Sequence, residues 1–230
     1  MTKRGKLIVI DGTDGSGKAT QTGLLIRRLR KDGYPVKVVD FPDYRSNFFG
    51  KFIGHCLSEQ YYNFVRVHPK IASVLYAADR FESRNKIERW LGAGNIVIAN
   101  RYASANQIHQ GGKITNTKKR ENFLKWLAEM EYKVFQIPRP DTIFYLSVPI
   151  PMVLRLIKAR DGNGKKRRYL GKKKDVHEKD VRFLENSRRS ALWLAKTQKG
   201  WVKIECMKGG VLQTRGEIHQ KIYEKVRKIL

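Results

Sequence analysis

A chain of 230 residues with 41% hydrophobic and 10% aromatic content carries enough apolar material for a core, which excludes a disordered protein. Its apolar runs are only strand-length, too short for a membrane-spanning helix, and Cys56 and Cys206 lack the paired spacing of a zinc site or a disulfide framework. Against 21 Asp and Glu stand 48 Lys and Arg, and the resulting charge of +27 selects anionic partners: nucleic acid, for which no zinc-finger or RNP pattern is present, or nucleotide substrates.

The basic start, Met1 to Lys6, is followed by only four apolar residues, too few for a signal-peptide core, so a cytoplasmic protein is expected. Those four, Leu7–Ile10, read as a buried strand. The segment Gly12-Thr13-Asp14-Gly15-Ser16-Gly17-Lys18 follows, and then a helical pattern with Leu24, Leu25, Ile26 and Leu29. Strand, glycine-rich turn and helix are the context of a P-loop, in which backbone N–H groups, the helix N-terminus and a lysine surround a phosphate. Ala19 stands where the usual loop has a magnesium-binding Ser or Thr, and Thr20 comes one residue later. Gly12 to Thr20 are therefore the candidate nucleotide-phosphate site, with the metal anchor altered.

Further apolar runs read as strands at 36–39, 95–99, 142–148 and 201–207, separated by helical patterns. This alternation predicts an α/β fold, a doubly wound five-stranded parallel sheet flanked by helices. No repeat or low-complexity linker divides the chain, so a single domain over 1–230 is expected. The stretch from Lys158 to Arg182 is cationic and punctuated by Gly162, Gly164 and Gly171. It reads as a flap closing over phosphates or as a solvated basic loop. Asp175, His177, Glu178 and Asp180 suit no metal-ligand spacing and are read as an acidic helix start; no protein metal ligand is assigned. Thr214 and Glu217 form a capping-box pattern ahead of the last helix.

Several segments hold potential binding groups: Asp40-Phe41-Pro42-Asp43-Tyr44-Arg45 after the second strand, Leu75-Tyr-Ala-Ala-Asp79-Arg80-Phe-Glu82, Asn100-Arg101-Tyr102 after the third strand, Asn106 and Gln107-Ile-His109-Gln110-Gly-Gly112, and Pro140-Asp141 before the fourth. Read from chemistry alone, Asp14 is a turn residue or a carboxylate for a sugar hydroxyl. Arg80 is an anion or carbonyl binder, or the ion-pair partner of Asp79 or Glu82. Phe41 stacks on a base or packs. His109 stacks on a base or is a satisfied loop histidine.

In this order, together with the P-loop and the basic flap, these segments resemble the thymidylate kinases over nearly the whole chain. The resemblance implies a P-loop kinase fold and ATP-dependent phosphorylation of dTMP to dTDP by a homodimer, with Mg2+ accompanying ATP. It places Asp14 at the sugar 3′-hydroxyl, Phe41, Pro42, Arg45, Arg80, Tyr102, Asn106, Gln107 and His109 around the acceptor, and Arg101 on its phosphate. Lys18 serves the donor phosphates. The P-loop has no arginine, so the flap must supply one: Arg160 is the best-placed candidate for catalysis, with Arg167 and Arg168 beside ATP. Asn100 stands where many members have a magnesium-holding Asp. Another nucleoside monophosphate or deoxynucleoside kinase is the alternative, or a nucleic-acid-binding P-loop protein without kinase activity.

Overall fold

A computed structural model describes residues 3–58, 66–162 and 180–230, of residues 161 and 162 only the backbone. Most of the flap expected at 158–182, with Arg167 and Arg168, lies outside the described residues.

Five strands pair in parallel in the order β2-β3-β1-β4-β5: β1 (Leu7–Asp11), β2 (Val36–Asp40), β3 (Ile96–Asn100), β4 (Thr142–Ser147) and β5 (Trp201–Glu205). Strand β1 lies between β3 and β4, with Ile8 opposite Ile98 and Thr142. Its four apolar residues are fully buried because both sheet faces are covered. Ile8 and Ile10 join Leu25, Leu29, Phe144, Ile218 and Ile222 on one face, where helix α1 (Lys18–Lys31) and the last helix (Arg215–Arg227) pack. Leu7 and Val9 join Val39, Val97, Tyr145, Ala191 and Leu194 on the other, beneath the long helix Val181–Thr197. Neighbouring residues of a strand thus serve opposite cores, as the two-residue period requires.

The sheet was legible in the apolar runs, with ends shifted by one or two residues. The exception is the fifth run: after Glu205 the chain leaves the sheet, and Met207–Lys208 pairs antiparallel with Val211–Leu212 across Gly209 and Gly210, both at positive φ. The capping box of the last helix is present, with Thr214 Oγ1 accepting from the Glu217 N–H and the Glu217 carboxylate accepting from the Thr214 N–H.

Helices α2 (Phe48–Leu57) and α3 (Pro69–Glu82) pack on each other, and α4 (Arg84–Gly92) leads into β3. After β3 come a single turn, α5 (Ala103–Ala105), and a π-helical turn over Asn106–Gln110. Helix α6 (Thr117–Glu129) likewise ends in a π-helical turn, Met130–Val134. Helix α7 (Ile150–Gly162) follows β4. The carboxyl ends of β1, β2 and β3 and the two π-turns meet on one side of the molecule. That edge is where an open α/β sheet places its ligands.

Candidate active site

The phosphate loop is built by the abrupt passage from β1 into α1. Gly17 caps α1 at φ 89°, a left-handed conformation that needs glycine. Lys18 folds back so that its Nζ donates to the carbonyls of Gly12 (2.9 Å) and Thr13 (2.8 Å), 4.0 Å from Asp14 Oδ1. Asp11 closes the strand beneath the loop. It is fully buried, accepts from the Gly12 N–H at 2.8 Å and from Ser104 Oγ at 2.6 Å, and ties the loop to α5. Burial raises its pKa, against the opposing pull of Arg101 and Lys18. Gly15 to Gln21, Arg45, Arg160, Leu212, Gln213 and Arg215 all line a long cleft running from this loop to the last helix.

A second, more enclosed pocket opens beside the loop. Its lining includes Asp14, Phe41, Pro42, Tyr44, Arg80, Arg101, Tyr102, Asn106, His109 and Gln110. Asp14 and Arg101 join the two: the Arg101 guanidinium donates to Asp14 Oδ1 at 2.5 Å, and Arg101 sits at φ 65° immediately after β3. The Asp14 side chain is 3% exposed, and this pairing satisfies its carboxylate within the turn that opens the loop.

His109 braces the same arginine. Arginine only donates, so His109 Nε2 accepts from Arg101 Nη1 at 2.8 Å, and the proton of the neutral ring lies on Nδ1, 3.1 Å from Ser187 Oγ. The ring also stacks on Phe183, with centroids 5.8 Å apart. Of the two alternatives for His109, the structure shows a histidine with both nitrogens engaged, at the pocket wall.

Arg80 corrects an expectation. Its partner is neither Asp79 nor Glu82 but Glu131, which accepts from both Nε (2.8 Å) and Nη2. Glu82 instead accepts from the Phe48 and Phe49 N–H groups and caps α2. Asp79 accepts from Asn47 Nδ2 and the Asp43 N–H, holding down the loop that carries Pro42 and Arg45. Desolvation pushes the Asp79 pKa up to about 6.

The expected amide is displaced as well. Gln107 does not line the pocket; its carbonyl accepts from Ser190 Oγ. The pocket amides are Asn106 and Gln110. Gln110 is 1% exposed, and its side-chain oxygen and nitrogen both lack a hydrogen-bond partner. A buried primary amide left unsatisfied is costly unless a ligand pairs it. The π-turn explains the slip: one extra residue in the turn rotates the later positions relative to an α-helix, which residue spacing alone does not reveal. The Tyr102 hydroxyl is likewise buried without a partner, and the Tyr102 ring packs against Phe41 at 5.7 Å.

Oxygen donors suited to a hard cation lie at the ends of β2 and β3. Asn100 Nδ2 donates to Asp40 Oδ1 at 2.9 Å, and Asn100 Oδ1 is buried without a partner. Both residues line the cleft that contains Lys18. Among the described residues no three His, Cys, Asp or Glu side chains converge as a metal cage. Missed in the sequence were Glu131, Gln110 as the pocket amide, and Gln21, whose Nε2 donates to the Arg215 carbonyl.

A family model described as thymidylate kinase matches residues 10–218. The thymidylate kinase of Plasmodium falciparum is 32% identical over 148 residues, 64% of this chain and 63% of that protein. The probable thymidylate kinase of Pyrococcus horikoshii is 33% identical over 68% of this chain and 72% of its own. The human thymidylate kinase is 29% identical, and the match spans 63% of its length. In fold, the solved thymidylate kinase of Candida albicans superposes with a TM-score of 0.72 at 22% identity, covering 98% of this chain and 92% of that one.

Proposed function

The chain belongs to the thymidylate kinase family, and from that premise we propose that it transfers the γ-phosphoryl group of ATP to dTMP, giving ADP and dTDP. One observation carries the reading at the level of residues: an enclosed pocket with Arg80, Asn106 and Gln110 at one part of its wall shares Asp14 and Arg101 with a lysine-bearing phosphate loop. A pure nucleic-acid-binding protein has no use for such an acceptor pocket.

ATP lies along the cleft, its phosphates on the N–H groups of Gly12 to Thr20, and Lys18 leaves its carbonyl contacts to pair with them. The acceptor phosphate sits on Arg101, the sugar 3′-hydroxyl donates to Asp14, and the base enters between Phe41, Tyr102 and His109. An acceptor oxygen bonds the γ-phosphorus as the bond to the ADP oxygen breaks. Negative charge builds on the equatorial oxygens, and the positive side chains stabilise it. Arg160, which lines the cleft from α7, is the arginine assigned to this role in our reading; Arg45 lines the same cleft. Arg167 and Arg168 belong to the same basic segment. Mg2+ neutralises phosphate charge when bound with ATP, and Asp40 and Asn100 would hold its water shell, replacing the missing hydroxyl at Ala19. The reading is of one kinase domain acting as a cytoplasmic homodimer. Its dimer surface is the stripe Ile71, Val74, Ala78 and Phe81 on α3, whose larger members are 40–60% exposed.

The test is ADP formation from ATP and Mg2+ with dTMP, dUMP, dCMP, UMP and dAMP offered separately. A marked preference for dTMP supports the reading. Preference for another monophosphate keeps the kinase and discards the base, and no turnover with any acceptor overturns it.

A further inference from the structure

Glu131 is a deeply buried carboxylate bonded to the pocket residues Arg80 and Asn106, and the reading above leaves it without a role. It is 1% exposed and sits in the π-helical turn Met130–Val134, outside every motif in the sequence. It accepts from three donors: Arg80 Nε, Arg80 Nη2 and, at 2.8 Å on Oε1, Asn106 Nδ2. Asn106 Nδ2 also donates to the Ser73 carbonyl at 3.1 Å.

An ionised carboxylate only accepts, and this fixes the polarity of what faces it. Arg80 spends its Nε–H and one Nη2 hydrogen on Glu131, leaving both Nη1 hydrogens and the second Nη2 hydrogen as its remaining donors. Both hydrogens of the Asn106 amide are committed, leaving Oδ1 as an acceptor. At the pocket wall Arg80 therefore presents donors only and Asn106 an acceptor. That pattern complements the keto edge of a pyrimidine, with its carbonyl O4 and N3–H. With Arg80 facing position 4 and Asn106 Oδ1 facing position 3, it mismatches cytosine, which presents an amino group and a bare N3. We propose that Glu131 is the positioning residue that sets the pocket's selection of keto over amino pyrimidines, by holding Arg80 and orienting Asn106. This rests on the reading of the pocket as the base site.

The isosteric variant Glu131→Gln tests it, because a glutamine amide faces Arg80 and Asn106 with a donor as well as an acceptor. The expected result is a rise of about tenfold or more in KM for dTMP and for dUMP, which shares the keto edge. KM for ATP stays within about twofold, and the dTMP to dCMP ratio of kcat/KM shrinks. Glu131→Asp, which keeps an acceptor-only group, retains more of that ratio. A Glu131→Gln enzyme that loses activity on dTMP and dCMP in parallel, or keeps its ratio, overturns the proposal. Arg80→Ala separates the two levels: an unchanged ratio there refutes the base-site reading, whereas a ratio lost in Arg80→Ala but kept in Glu131→Gln refutes Glu131 alone. Should Glu131→Gln fail to fold, NMR of the wild-type enzyme decides. The Arg80 Nε–H and Asn106 NH2 signals stay slowly exchanging and barely shift as dTMP saturates the site; rapid exchange or large shifts overturn the assignment.

Discussion

Arg101 concentrates the demands on this site in one residue. It follows β3 directly, adopts a left-handed backbone, and spends its guanidinium on Asp14 and His109. A non-glycine residue held at φ 65° costs on the order of 1 kcal/mol, and such strain clusters where a side chain must be aimed. Two substitutions separate aim from backbone. Arg101→Ala and Arg101→Gly should both cut kcat/KM for dTMP by about a thousandfold, while calorimetric ATP affinity changes little. In thermal unfolding the glycine variant should be the more stable by about 0.5–1 kcal/mol, because glycine adopts this φ without strain. Equal loss of ATP and dTMP binding would remove Arg101 from the acceptor. Lys18→Ala should instead weaken ATP, the ligand on its side of Asp14. The resemblance pointed to the Arg101 side chain; its backbone and its histidine brace were not legible, since both depend on how α5 and the following π-turn pack on the long helix.

At the scale of elements, the parallel sheet was readable because buried strands are continuous apolar runs, and the P-loop because glycines and lysine occur at fixed offsets in one segment. What escaped depends on irregular helix. Both π-turns shift side chains by part of a turn, moving Gln110 rather than Gln107 into the pocket and turning Glu131 inward. The segment after β2 is organised from α3, by a residue the sequence offered only as an ion-pair partner. Asp79 is fully buried and binds the Asp43 N–H and Asn47 Nδ2, so its ionisation is coupled to folding. Its pKa is raised from 3.8 to about 6, mainly by burial. The folded state therefore binds the proton more tightly than the unfolded state. The group's contribution is most favourable below pH 4 and is lost as pH rises through 6. Asp79→Asn removes this dependence. Between pH 4.5 and 7.5 the variant should gain about 2 kcal/mol relative to wild type, read as the pH trend in the difference of their denaturation midpoints. A pH-independent difference would place the Asp79 pKa near that of an ordinary carboxylate.

The whole molecule combines a charge of +27 with an apolar stripe along α3, and salt acts on these in opposite directions. Long-range attraction of the field for ATP and dTMP weakens as the screening length contracts, from about 30 Å at 0.01 M to about 8 Å at 0.15 M salt. Over that range kcat/KM for dTMP should fall several-fold with kcat nearly unchanged, since screening alters capture and leaves bound contacts largely intact. The proposed self-association runs the other way. Two copies of so basic a chain repel each other, while Ile71, Val74 and Phe81 supply contact area that salt does not weaken. Sedimentation should therefore show a dimer that tightens as salt rises. Ile71→Asp combined with Val74→Asp should give a monomer at every salt concentration, with the fold retained, because both side chains are exposed on α3. A double variant that stays dimeric would move the interface off this helix. A wild-type dimer that dissociates as salt rises would show that ion pairs, rather than the apolar stripe, hold the two copies together.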